Sequence, residues 1–128
     1  MKINRKTGVY IDHSHAHLIE FGEMAQPIVK VHPEHGGHAS HGSEHSAHKH
    51  TSNQLTHFYQ DVAQKLHGVD EILLFGPTTA KNELNNFLKK DHHFANAKIE
   101  IKNSAALNER EQREIVKDFF NKFTIKSF

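Results

Sequence analysis

The chain has 128 residues, 36% of them hydrophobic and nine of them Phe, which suits a single domain of residues 1–128 with one modest core. Sixteen Lys and Arg against fifteen Asp and Glu leave a formal charge of +1, which argues against a protein held to nucleic acid mainly by a broad basic surface. There is no cysteine, so disulfides and thiolate metal sites are excluded.

The first third of the sequence predicts three short strands separated by turns. They are Gly8 to Asp12, Ala16 to Phe21, and Pro27 to His32, which carries Ile28, Val29 and Val31. Because the connections are short, we expect an antiparallel meander.

An amphipathic helix is predicted from Thr51, with a capping box of Thr51 and Gln54 and a stop at Gly68. The apolar residues recur at helical spacing. They are Leu55, Phe58, Tyr59, Val62, Ala63 and Leu66.

The rest of the chain alternates strands and helices. Glu71 to Phe75 is typical of a central strand buried on both faces, and Ala97 to Lys102 alternates as a half-buried strand with Ile99 and Ile101 facing the core. The helix between them has the stripe Ala80, Leu84, Phe87 and Leu88. The last helix begins near Asn108, with Glu111 at capping-box spacing, and its predicted core residues are Ile115, Val116, Phe119, Phe120 and Phe123.

The predicted order is therefore βββ-α-β-α-β-α. Strands separated by helices indicate parallel crossovers, and the early strands supply antiparallel partners. We expect an α/β fold in which helices cover both faces of a mixed sheet of about five strands.

The segment 32–50, HPEHGGHASHGSEHSAHKH, interrupts this pattern and holds seven of the chain's fourteen histidines. We interpret it as a His-rich insertion loop. Imidazole is the commonest protein metal ligand, and its ordinary pKa lies near neutrality, so the segment indicates either metal binding or a charge that rises as the pH falls. With no thiolate present, the metals favoured are Zn, Ni and Cu(II).

The element order and three local motifs resemble the middle domain of the eukaryotic and archaeal class-1 peptide-chain release factors and Pelota, as found in bacterial single-domain relatives. The motifs are Gly8 to His13 followed by Ala16, Glu71 to Gly76, and Ala80 to Leu84. The resemblance covers nearly the whole chain and implies a ribonuclease-H-like fold.

In the release factors, the loop between the third strand and the first helix carries a Gly-Gly-Gln tripeptide that promotes release of the nascent chain. The corresponding residues here are Gly36, Gly37 and His38. Because histidine replaces the glutamine, the resemblance implies a partner-contact loop, which also includes Lys49, without peptide-release activity.

Three further local patterns have competing interpretations. Metal binding by the segment would use some or all of His32, His35, His38, His41, His45, His48 and His50; a solvated linker with adventitious metal affinity is the alternative. His13, His15 and His17 indicate a turn organised by Asp12, or a second metal site. Gly76 to Thr79 with Lys81 indicates a capped helix start rather than a phosphate site.

Two function hypotheses follow. The first is a translation-associated module that presents the segment to the ribosome or RNA, which the resemblance in fold and the Gly-Gly loop suggest. We expect it to be non-enzymatic, since neither a nucleophile motif nor a recognisable carboxylate pair is present. The second is a metal-binding or metal-buffering protein.

The N-terminus lacks the apolar stretch of a secretory signal and no run approaches roughly 20 apolar residues, so we expect a cytoplasmic protein without a membrane partner. An exposed sheet edge would allow a homo-oligomer or a partner chain.

Overall fold

A computed structural model describes residues 4–33 and 52–124, with side chains as far as Lys122. The strands are β1 Lys6–Ile11, β2 Ala16–Phe21, β3 Val29–Val31, β4 Glu71–Gly76 and β5 Lys98–Asn103. They form one sheet in the order β3-β2-β1-β4-β5. The pairs β1–β2 and β2–β3 are antiparallel, whereas β1–β4 and β4–β5 are parallel. The predicted mixed sheet is confirmed.

Three helices follow in the predicted order: α1 Ser52–Lys65, α2 Ala80–Lys89 and α3 Glu109–Thr124. A short 3-10 helix, His92–Phe94, precedes β5 and was not predicted. Among the described helices, none combines the length and apolar character needed to cross a membrane.

Helices α1 and α2 cover one face of the sheet. Their buried side chains, including Phe58, Val62 and Leu84, pack with Val9 and Ile72 from the strands. Full burial of such a side chain contributes roughly 1.5–3 kcal/mol. Ile99 and Ile101 pack against this cluster while partly exposed, so their predicted inward direction is confirmed.

Helix α3 covers the opposite face, where Val116 and Phe120 pack with Tyr10, Leu73 and Phe75. Strand β4 is therefore covered on both faces, as its continuous apolar run predicted. Ile115 and Phe119, predicted as core, are only partly buried against this second cluster. The predicted burial of Phe123 lies outside the described side chains.

The capping box predicted at the start of α3 is confirmed. Asn108 Oδ1 accepts from the Glu111 amide at 2.8 Å while Glu111 Oε1 accepts from the Asn108 amide at 2.9 Å, which is a reciprocal capping box. Gly68 has a φ of +87° in the turn after α1. The capping residue predicted at Thr51 lies outside the described residues.

The register shows where the His-rich segment is attached. Ile11 pairs with Ala16, and Ala16 pairs with Val31, so β1 and β3 end at the same edge of the sheet. Strand β4 also ends there, because it runs parallel to β1. We call this the carboxyl edge. The residues that follow β3 therefore leave the sheet at the carboxyl edge.

Candidate functional site

Four described histidines lie at the carboxyl edge, where the His-rich segment leaves the sheet. His13 and His15 belong to the β1–β2 turn, His17 lies on β2, and His32 follows β3. The ring centroids of His15 and His32 are 5.4 Å apart, and those of His15 and His17 are 6.4 Å apart. We call His13, His15, His17 and His32 the root histidines.

The turn that carries two root histidines is organised by Asp12. Its Oδ1 accepts from the amides of Ser14 at 2.7 Å and His15 at 2.8 Å. The Asp12 amide donates to the His15 carbonyl at 2.9 Å, which closes the turn. The predicted structural turn is thus confirmed, and its side-chain to backbone bonds set the direction of the hairpin.

His17 connects the hairpin to α3 through Gln112, whose side chain is buried. Gln112 Nε2 donates to the Leu107 carbonyl at 2.8 Å, which leaves Oε1 to accept from His17 Nδ1 at 2.9 Å. Tyr10 reinforces this contact because its hydroxyl accepts from the Leu107 amide at 3.0 Å. Because the Gln112 oxygen can only accept, His17 Nδ1 is the donor in this contact.

His13 connects the same turn to α2 and α1 through Glu83. His13 Nε2 lies 3.1 Å from Glu83 Oε1, which also accepts from the Tyr59 hydroxyl at 2.6 Å. Thr79 Oγ1 donates to Glu83 Oε2 at 3.1 Å. The hairpin is therefore held from both faces of the sheet.

The environment of Glu83 changes two pKa values. Partial burial alone would raise the pKa of Glu83, but hydrogen bonds from Tyr59, His13 and Thr79, with the charge of protonated His13, hold it below its ordinary value. Burial, together with the hydrogen bond to Glu83 and its negative charge, raises the pKa of Tyr59 well above its ordinary range. Near neutral pH the pair is a neutral phenol and a carboxylate.

Tyr59→Phe is expected to lower the free energy of unfolding by about 1 kcal/mol near neutral pH, because it removes a donor from a carboxylate. The expected loss is smaller than for a fully buried hydrogen bond to a charged group, because the Glu83 side chain is 44% exposed to water. A lowered folded-state pKa stabilises the fold above the unfolded-state pKa, and the contribution is lost as the pH falls through the folded-state pKa. Urea unfolding at neutral and acid pH should show the deficit shrinking in acid.

Tyr10→Phe is the matched control for this pH dependence. It also removes a hydroxyl, but the lost partner is the uncharged amide of Leu107. Its deficit should stay constant over the same pH range. A Tyr59→Phe deficit equally insensitive to acid would contradict the assigned role of the Glu83 charge.

The described residues include only one of the predicted segment ligands, His32, which is exposed and contacts the ring of His15. The other predicted ligands and the partner-contact loop lie outside the described residues. They are His35, Gly36, Gly37, His38, His41, His45, His48, Lys49 and His50.

The start of α2 supports a helix-capping interpretation of Gly76 to Thr79. Thr78 Oγ1 accepts from the Ala80 amide at 3.2 Å, whereas Thr79 makes no side-chain cap. The Lys81 side chain is buried, and its Nζ donates to the Thr78 carbonyl at 2.6 Å. The lysine that a phosphate would need is engaged within the helix start itself.

Sequence reasoning missed a second group of side chains, at the opposite edge of the sheet. One nitrogen from each of His67 and His93 and one carboxylate oxygen of Asp91 all lie within 4.8 Å of one another. Helices α1 and α2 each lead into one of two parallel strands, so the C-terminal ends of the two helices lie at the same end of the sheet. This topology was the signal that could have placed His67 near Asp91 and His93.

No family model matches this chain, and no curated protein matches it. Among solved structures, the fold is similar to Pelota from Archaeoglobus fulgidus, with a TM-score of 0.59 and 15% sequence identity. The match covers 95% of this chain and 35% of the Pelota chain, whose crystal structure reveals inter-domain structural plasticity. The chain thus has a Pelota-like fold and spans about a third of the length of that protein.

Proposed function

We propose that this chain is a non-enzymatic, translation-associated module that presents residues 32–50 to the ribosome or another RNA surface. The observation that carries the proposal is the attachment of this segment at the carboxyl edge of a Pelota-like sheet, between β3 and α1. In the release factors that the sequence resembles, the loop at this position in the chain order carries the residues that enter the ribosome.

The histidines of this region provide the attraction for RNA. Ordinary imidazoles are partly protonated near neutral pH, so clustered histidines add positive charge as the pH falls. Lys49 adds a permanent charge. Phosphate contacts made by such groups weaken as salt rises, because the release of condensed counterions into a more concentrated salt solution gains less free energy. Binding by this segment is therefore sensitive to both pH and salt.

The proposal includes no catalytic step. The glutamine that the release factors use is His38 in this chain, and the flanking residues are mainly His, Ser and Ala. A fold supports many unrelated activities, so the site residues determine the chemistry rather than the Pelota-like architecture.

Co-sedimentation with purified ribosomes across a salt series tests the proposal. The segment variant replaces His35, His38, His41, His45, His48 and His50 with Asn, and the matched control replaces exposed His57 and His92. We expect the unmodified chain to associate with ribosomes in a salt-sensitive manner. The segment variant alone should bind at least about tenfold more weakly, which is the size of effect expected when a few phosphate contacts are lost. No association at low salt, or equal binding by the segment variant, would contradict the proposal.

A second candidate function is binding or buffering of Zn, Ni or Cu(II) by the segment. The contact between His32 and His15 favours it, because a ring separation of 5.4 Å allows both imidazoles to approach one ion. Calorimetric titration of the metal-free chain should then show submicromolar binding, and the number of ions bound should fall when His35, His38, His41 and His45 become Ala. Affinity in the millimolar range would exclude this function.

A further inference from the structure

We propose that His67, Asp91 and His93 form a divalent-metal site, independent of the His-rich segment, that takes Zn2+ or a similar borderline ion. Their ligand atoms already lie within 4.8 Å of one another. Ligands of a tetrahedral zinc ion, about 2.0–2.1 Å from the metal, stand a little over 3 Å apart, so modest side-chain rotations complete the geometry.

The backbone around each ligand is well defined. His67 follows α1, where its amide donates to the Gln64 carbonyl at 3.3 Å, and Gly68 then turns the chain into β4. Asp91 caps the 3-10 helix that carries His93. Phe94 is buried next to His93, and its ring lies 5.7 Å from that of His67. The three ligands are thus positioned by elements packed into the core.

Asp91 also positions the His93 ring. Its Oδ1 accepts from the His93 amide at 2.9 Å and from Nδ1 at 2.8 Å. Both of these bonds use Oδ1, so Oδ2 retains the capacity to bind an ion.

The rings of the two histidines are stacked, and one nitrogen of each lies within 4.8 Å of the other. The centroids of His67 and His93 are 4.2 Å apart with planes inclined by 22°. At this separation, a nitrogen lone pair from each ring can reach one cation. Two imidazoles and one carboxylate suit Zn, Co or Ni and leave a fourth position for water or an external ligand.

The experiment must separate this site from the segment. The full-length background variant carries Asn in place of His35, His38, His41, His45, His48 and His50, which removes the imidazoles of the His-rich segment other than His32. On this background we add His67→Ala, His93→Ala or Asp91→Asn. Asparagine also caps helices, so Asp91→Asn retains the start of the 3-10 helix. His57→Ala is the matched control, because His57 is an exposed histidine in the middle of α1.

We expect the background variant to bind one Zn2+ per chain by calorimetry. Its affinity should fall at least about tenfold in each of the three ligand variants and stay unchanged in His57→Ala. Bound Co2+ should give visible absorption bands that the ligand variants lose, while far-ultraviolet circular dichroism confirms that they remain folded. Absence of zinc binding in the background variant, or equal binding by the folded ligand variants, would overturn the assignment.

Discussion

Replacing Gly76 with alanine is expected to lower the free energy of unfolding by about 3 kcal/mol or more. Gly76 ends β4 with a φ of +151°, a backbone conformation that residues with a side chain rarely adopt. A Cβ built there would lie 2.2 Å from the carbonyl oxygen of Ile11. The clash is with the backbone of the neighbouring strand β1, so a rotamer change cannot relieve it.

Thermal and urea unfolding of Gly76→Ala measure this effect, with Gly22→Ala as the control. A Cβ at Gly22 meets nothing within 4 Å, and that glycine has no positive φ. For a chain of this size, the expected loss is a decrease in Tm of roughly 10 °C. A Gly76→Ala protein as stable as Gly22→Ala would show that β1 and β4 can separate at the carboxyl edge without cost.

Gly8→Ala is expected to cost about 2 kcal/mol, because it overpacks the contact between β1 and α3. A Cβ at Gly8 would lie 2.2 Å from Val116 Cγ2, and Val116 is buried. Valine is branched at Cβ, so its methyl groups have little rotational freedom to move aside. The small residue in β1 therefore sets how closely α3 approaches the sheet.

A double-mutant cycle with Val116→Ala tests the origin of this cost. Val116→Ala alone creates a cavity and should destabilise the protein by roughly 1–3 kcal/mol. In the double variant, the new Cβ of residue 8 occupies the space that Val116 leaves, so the combined loss should be smaller than the sum of the single losses. Strictly additive losses would show that the Gly8→Ala cost arises elsewhere.

The element order could be predicted from periodicity because each element has one strong apolar pattern. The continuous run Ile72 to Phe75 predicted a strand covered on both faces, and α1 and α3 provide those covers. Strand ends were less well predicted: β3 spans only Val29–Val31 within the predicted Pro27 to His32. Pro27 cannot donate to a ladder, which limits the pairing on that side.

The candidate sites were harder to predict because they depend on contacts between distant residues. Asp12 could be predicted as a turn residue, since its partners are two and three residues away. Nothing local indicates that Glu83 would meet both His13 and Tyr59, or that His67 would stack on His93. Such contacts follow from which ends of helices and strands share an edge, so topology must be known first.

The two ends of the His-rich segment are attached to elements that differ in how firmly they are packed, because one of them is the short edge strand β3. On one side, the segment joins three residues that pair only with β2, and of these only Val31 is buried. On the other side it joins α1, which is fixed in the core by Phe58 and Val62. Local opening begins where the fewest apolar contacts are lost, so a partner that pulls on the segment would detach β3 while the rest of the sheet stays folded. Amide hydrogen exchange should accordingly be faster at Val31 than at Val9.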